Sequence, residues 1–505
     1  MKKLIPVAAA IVAVVLLAFQ HTDAWNSRYV KPDSKGQLVY AADKQGNTIP
    51  DFSRVGYHGG DKPIPDVPVV KIIQPATTGS SAEIIQSAID EVSLRNPDQN
   101  GFRGTILLKK GTYIVPDIIR IKTSGIVLRG EGDSGNGTNI VSTATKQVSL
   151  LTISGEGKPT EVPGTRVDIT DAYVPVGAKS FTVERTSHLK VGDRIMVFQP
   201  TNDQWVKDLK MDQIVERPGT KQWKASEYSF QFERIITGIE KNKIFLDNPV
   251  VSAIDKKYGG GQIYRYTYEG RISEVGVEQI RFISSYESDT AENHAWNAVQ
   301  FDKIENGWAR NISSRFFGNS CVTLENYARN ISVLNSTCLD AKSVITGGRR
   351  YSFNNTGQLN LFMYCQATEG RHDFVTGARV CGPNAFVHCS ATNTHSDIGP
   401  HHRWAIGTLY DNITTDGEIN VQDRGNWGSG HGWAGITQIV WNCTARKATV
   451  QSPWAVGKNY CIGLKGEKNP GRFKDRPDGE WEGHNRTGLE PASLYEAQLR
   501  DRKKR

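Results

Sequence analysis

Seven of the eleven histidines fall between His294 and His431, and they travel with arginine and aspartate. Three blocks carry the pattern: Gly348-Arg349-Arg350-Tyr351, Gly370-Arg371-His372-Asp373 and Thr394-His395-Ser396-Asp397. A fourth, Pro400-His401-His402-Arg403-Trp404, adds two imidazoles and a guanidinium. An imidazole near neutrality takes or gives a proton, and a guanidinium stabilises developing negative charge. Together these groups fit one demanding step: removing a proton beside a carboxylate, which is poorly acidic until that carboxylate is neutralised. This step opens β-elimination in a uronic-acid polymer. His372, Arg371, His402 and Arg403 are therefore the candidate catalytic set. Adjacent strand residues face opposite sides, so only one of His401 and His402 is expected in the cleft, and the reading favours His402.

Around this set, Arg349, Arg350, His395, Trp404, Tyr410, Trp427, His431 and Trp433 are candidates for holding the substrate by charge or ring stacking. Calcium through Asp373 and Asp397 is the candidate metal site, since hard cations take oxygen ligands. No histidine spacing matches a compact zinc motif such as His-Glu-x-x-His. Two rival functions use the same chain. A glycoside hydrolase needs paired carboxylates and would draw on Asp373, Asp397 or Asp423; a non-catalytic glycan-binding protein would use the scaffold and the aromatics alone.

What must position these residues is legible in the spacing. Arg349 to Arg371 is 22 residues and His372 to His395 is 23, so stacked coils of that length bring the blocks to one azimuth at about 4.8 Å per level. The segments 361–367, 385–391 and 439–445 share an alternating pattern ending in Cys-x-Ala, which predicts an internal stack of cysteines. Phe362, Tyr364, Phe386 and His388 are expected on the opposite side. The pentapeptides Ala309-Arg310-Asn311-Ile312-Ser313 and Ala328-Arg329-Asn330-Ile331-Ser332 read as adjacent coils. Sequons at Asn311, Asn330, Asn335, Asn412 and Asn442 fit glycosylation or Asn turns and ladders equally.

Upstream, Ser80-x-x-Glu83 predicts a capping box for a helix bearing Ile84, Ile85, Ala88, Ile89 and Val92 at helical spacing, placed to cover the open end of a solenoid. Between about 164 and 270 the coil rhythm gives way to strands with tight turns such as Val191-Gly192-Asp193. That stretch reads as an inserted β-barrel-like subdomain, whose Trp205, Trp223, Tyr228 and Phe230 form its own core or a sugar platform. The C-terminal "SLYEAQLRDRKKR" reads as a surface helix with a frayed basic end.

The run "IQSAID", "GTILLKKGTYIV", "IRIKTSGIVLRGEG", "GTNIV" resembles the start of right-handed parallel β-helix proteins of the pectate-lyase-like superfamily. That resemblance implies a single-stranded, all-β parallel helix, in a superfamily holding polysaccharide lyases, glycoside hydrolases, epimerases and tailspikes. Gly430-His431-Gly432 and Arg120-Ile121-Lys122 match short polygalacturonase motifs, but in the wrong order, and the chain has no Asp-Asp dipeptide and no Asn-Thr-Asp.

Composition sets the bounds. The 505 residues are 38% hydrophobic and 23% charged, with 49 Gly and four Met, which excludes a coiled coil, a disordered hub and a disulfide mini-fold. A net charge of +8 without a basic stripe suits an acidic polymer better than nucleic acid. Lys2, Lys3 and the apolar run to Phe19 read as a signal peptide over 1–24. The remaining organisation is 25–163 for the N-terminal segment, capping helix and first coils, 164–270 for the insertion, 271–445 for the main coils and 446–505 for a C-terminal extension. The expectation is a secreted, periplasmic or surface-bound monomeric lyase of an acidic polysaccharide, with Ca2+ as its candidate cofactor.

Overall fold

The computed structural model describes residues 24 to 504; the signal peptide expected over 1–24 lies almost wholly outside them. The chain is a parallel β-helix. Its coils stack strands in three rows, and each row advances by parallel pairing of one coil with the next. One row runs through Ile304–Arg310, Ala328–Leu334, Leu361–Met363, Cys381–Val387, Ala405–Asp411 and Gly435–Trp441. A second runs through Ser313–Arg315, Thr337–Leu339, Gln366–Thr368, Ser390–Thr392 and Thr414–Val421. The third passes Ser320–Leu324, Phe353–Asn355, Phe374–Thr376 and Asp397–Pro400, then joins Thr414–Val421 and Thr444–Val450. The buried face of all three rows forms one continuous core.

The corner between the first two rows is one left-handed residue per coil: Asn311, Asn335, Tyr364, His388, Asn412 and Asn442 have φ between 48° and 56°. Asparagine tolerates this conformation better than other L-residues, which explains the sequons here without glycans. The Nδ2 of Asn442 donates to Oδ1 of Asn412 at 3.1 Å, continuing the ladder. Asn330, by contrast, is buried and donates to the Gly56 carbonyl.

The corner corrects the strand-alternation expectation. A left-handed residue turns the chain, so Phe362 and Cys365 both enter the core, as do Phe386 and Cys389; only Tyr364 and His388 point outward. The Phe362 and Phe386 rings stack at 4.7 Å. The described cysteines are all free thiols, and Ile413 fills the position between Cys389 and Cys443. The two pentapeptides do lie on neighbouring coils, but out of step, since Ala309 is opposite Val333 rather than Ala328.

Helix Ala82–Ser93 closes the open end and buries Ile85, Ala88, Ile89 and Val92. Its N-cap is Ser81 rather than Ser80, whose Oγ instead accepts from the Ala82 N–H at 3.1 Å. Burying each of Ile85, Ile89 and Val92 stabilises the lid by about 1.5–3 kcal/mol. The terminal helix Leu494–Lys504 is not a free surface element: Leu494, Tyr495 and Ala497 pack under the first row with the N-terminal segment. No helix among the described residues is long and apolar enough to cross a membrane.

Between the coils, residues 160–267 form an antiparallel sheet, with Arg194–Gln199 paired to both Phe230–Glu240 and Gln262–Thr267. Its seam with the helix is ionic and buried. Against the penalty of burial, Arg271 and then Arg329 hold the Glu233 carboxyl well below the usual range. Trp205, Trp223, Tyr228 and Phe230 are core, and that core is shared with Trp404, Trp433, Ile406 and Ile436 from the coils.

Candidate functional site

A cleft of about 870 Å³ opens along the third row. Its floor is Tyr351, His372 and Asp397, its far end is Glu418, Asn420 and Arg446, and its wall is the 424–431 loop with Arg424, Trp427 and His431. Register brings the floor together: Phe353 lies opposite Phe374, and Val375 opposite Gly399, steps of 21 and 24 residues.

His372 is 2% exposed. Its Nδ1 lies 2.6 Å from Asp397 Oδ1 and 2.9 Å from the Asp397 carbonyl oxygen. An imidazole that donates Nδ1–H to a carboxylate keeps its lone pair on Nε2, and this Nε2 has no partner. Arg424 donates to the other oxygen, Asp397 Oδ2. Burial works against ionisation of Asp397, yet Arg424 and then His372 hold its carboxyl well below the usual range. Asp397 is thus a permanent anion that orients the imidazole.

Three further imidazoles adjoin. The His372 and His401 rings are 4.4 Å apart, His401 and His402 5.0 Å, and His402 and His431 4.8 Å. Burial, followed by Arg403 and Arg424, pushes His402 down to about 4; burial, followed by His402 and Arg424, pushes His431 down to about 3. Burial and the neighbouring His372 lower His401 further. All three are neutral near pH 7 and offer hydroxyl-binding nitrogens. Both His401 and His402 line the cleft, against the expectation of one. The strand ends at Pro400 and Arg403 and Trp404 are left-handed, so alternation no longer applies.

Of the residues singled out from sequence, Arg371, His372, His395, Asp397, His402, Trp427 and His431 meet in this cleft. Arg371 donates to the Gly347 carbonyl at 2.5 Å, and His395 Nε2 lies 2.9 Å from Glu369 Oε2. The others are elsewhere. Arg349 forks onto Glu292 at 2.6 and 2.9 Å. Arg350 is 5% exposed and donates to the Ser343 and Glu369 carbonyls. Arg403 donates to the Ser429 carbonyl and hydroxyl, both at 2.9 Å, and so fastens the wall loop rather than facing substrate. Trp404 and Trp433 are buried in the seam, and Tyr410 stacks on Phe386 inside the helix. The ladder of arginines therefore dissolves, while the His-Asp part of it stands.

The calcium pair is not assembled. Asp373 points inward, accepts from Ser352 Oγ at 2.7 Å, and is pushed by burial up to about 7. Both Asp397 oxygens already serve His372 and Arg424. Among the described residues no three His, Cys, Asp or Glu side chains are arranged to hold a metal ion. Asp423, a hydrolase candidate, is buried against Arg476 at 2.8 Å.

Sequence reading passed over Tyr351, Arg424 and Arg446 as site residues. Tyr351 was open to detection, since it precedes His372 by one coil of 21 residues; its ring lies 5.1 Å from that of His372. Burial raises its phenol, which stays protonated. Arg424 and Arg446 sit on later coils that carry no repeat of the block.

The inserted sheet supports the wall. Arg217 donates to the Gly428 carbonyl at 2.9 Å, Lys221 N–H to Ser429 at 3.1 Å, and Trp223 Nε1 to Gly430 at 3.2 Å. Gly430 has φ 90°, and a Cβ there would sit 2.5 Å from the Lys221 carbonyl oxygen, so glycine is required at this approach.

No family model and no curated protein matches the chain. Solved structures with some likeness include the tailspike protein gp49 from Pseudomonas phage LKA1, 14% identical with a TM-score of 0.44 over 76% of this chain and 62% of that one. The chain thus spans less than two thirds of that tailspike. Others are an endo-xylogalacturonan hydrolase from Aspergillus tubingensis (9% identity, TM-score 0.42, 83% and 92% covered) and an alginate lyase from Paenibacillus sp. str. FPU-7 (9%, 0.40, 83% and 99%). These likenesses are slight, and the fold rests on the strand register.

Proposed function

We propose that this protein is an exported carbohydrate-active enzyme that cleaves an acidic polysaccharide by β-elimination. The observation that carries the reading is His372, oriented by an ionised Asp397, with a buried and unpartnered Nε2 beneath a cleft that also holds Arg371 and Arg446, neither paired with a carboxylate. In this reading Arg371 neutralises the uronate carboxylate and His372 Nε2 takes the proton from the carbon beside it. The electron pair left behind forms the carbon–carbon double bond as the glycosidic C–O bond breaks. The Tyr351 phenol gives its proton to the departing oxygen. The products are a new reducing end and an unsaturated uronate.

The hydrolase reading has one observation in its favour, that Asp397 and Glu418 are register partners and both line the cleft. An Asp397 held as an anion by Arg424 is a poor proton donor, which weighs against it. Incubation with pectate, alginate, chondroitin, hyaluronan and ulvan separates the possibilities. Rising ultraviolet absorbance from the conjugated double bond supports elimination. New reducing ends without absorbance mean hydrolysis, and neither signal means a binding protein.

A further inference from the structure

One cation of the cleft has no task in the reaction just described. Arg446 lines the cleft, is exposed, and its side chain forms no ion pair or hydrogen bond among the described residues. The neighbouring carboxylates already have cationic or imidazole partners: Glu418 faces Lys447 at 3.3 Å, Asp397 binds Arg424, and Glu369 meets His395. Arg446 is therefore a free guanidinium on the cleft surface.

Its level along the helix is fixed by register. Phe374–Thr376, next to His372, pairs with Asp397–Pro400; that strand pairs with Thr414–Val421, and that in turn with Thr444–Val450, which holds Arg446. Three strand steps place Arg446 roughly 14 Å along the axis from the level of His372. A sugar ring in an extended polysaccharide advances by a length comparable with one such step.

We propose that Arg446 forms a remote subsite that binds the carboxylate of a uronate about three sugars from the cleaved bond. The substrate class is then a run of acidic sugars, not isolated uronates in a neutral chain. This inference rests on the polysaccharide-cleaving reading of the cleft. Guanidinium suits the role because its fork matches a carboxylate with two parallel hydrogen bonds.

The test uses binding, so that it does not depend on turnover. Full-length His372→Ala protein is titrated calorimetrically with galacturonate and alginate oligomers of increasing length. Affinity should rise about tenfold as the oligomer becomes long enough to reach Arg446, the scale of a hydrogen-bonded charge pair. Adding Arg446→Ala should abolish that rise and leave the shortest oligomers unaffected, Arg446→Lys should restore part of it, and carboxyl-reduced long oligomers should bind both proteins alike. A length dependence that survives Arg446→Ala overturns the subsite alone. Failure of the parent His372→Ala protein to bind any acidic oligomer overturns the cleft reading and the subsite together.

Discussion

Two places on this helix carry the same three side-chain types and differ in what their carboxylates meet. In the cleft, Tyr351, His372 and Asp397 lie on successive coils. At the opposite corner, Tyr364, His388 and Asp411 do the same: the Tyr364 and His388 rings stack at 5.1 Å, and His388 Nε2 lies 3.2 Å from Glu496. There the terminal helix closes over the carboxylate. Asp411 accepts from Ser493 Oγ and the Tyr495 N–H, both at 2.8 Å, and burial pushes it up to about 6. In the cleft His372 and Asp397 are themselves buried, but Asp397 meets a cation, and Arg424 supplies the charge that keeps it ionised. Residue type and stacking are thus common to both places. A counter-charge on the carboxylate and an adjoining cleft make only one of them suited to chemistry.

The strongest way to break this comparison is to exchange the histidines' fates. His372→Ala should lower turnover by roughly 100-fold or more, the scale for losing an acid–base group. His388→Ala should leave initial rates on an acidic polysaccharide near the parent value. Equal losses in both variants would mean that the histidines act through the fold rather than through the cleft.

The two aspartates sharpen it next. Asp397→Asn should also cut turnover by about two orders of magnitude, because the imidazole loses its orienting anion. Asp411→Asn should spare turnover and change the pH dependence of stability instead. A raised native pKa means that between about pH 4 and 6 the folded chain keeps a proton the unfolded chain has released, so stability falls as pH rises through that window. The contribution is up to roughly 3 kcal/mol, and denaturant titrations at several pH values should show Asp411→Asn losing that part of the slope. An unchanged slope would contradict the burial of a protonated Asp411.

Smaller effects follow in the walls. Trp427 is 37% exposed in the cleft, whereas Trp404 is sealed in the seam. Trp427→Ala should raise KM about two- to tenfold, the range for a ring contact. Trp404→Ala should instead cost about 3–5 kcal/mol of stability by leaving a cavity. Finally, His402 and His431 have lowered native values, so the unfolded chain binds protons first as pH falls below about 6.5. Stability is then lost from there down toward pH 4, and His402→Gln with His431→Gln should lessen that loss in thermal unfolding curves. An acid limb identical to the parent's would show that these imidazoles are not held neutral.

These contrasts show what a linear sequence records and what it conceals. The coil step is written in Cys365 and Cys389, because every coil must present an inward residue at one place. It foretells the helix and the His372–Asp397 neighbourhood. The exact azimuth is not written there, because single left-handed residues such as Tyr364 and Arg403 reset which way the next side chain points. Arg349, on a loop the repeat does not describe, meets Glu292 rather than substrate. Burial by remote segments is equally hidden: Trp404 and Trp433 look like sugar platforms until the inserted sheet, more than a hundred residues earlier, lies over them.

The central claim is that His372, and not its counterpart His388, removes a proton in an elimination. Its most direct test is the nuclear magnetic resonance spectrum of the cleaved ends formed by parent, His372→Ala and His388→Ala proteins on a polyuronate that the parent cleaves. The account predicts olefinic signals from an unsaturated uronate with the parent and His388→Ala, and their disappearance with His372→Ala. Saturated ends from the parent, or undiminished olefin from His372→Ala, would contradict it.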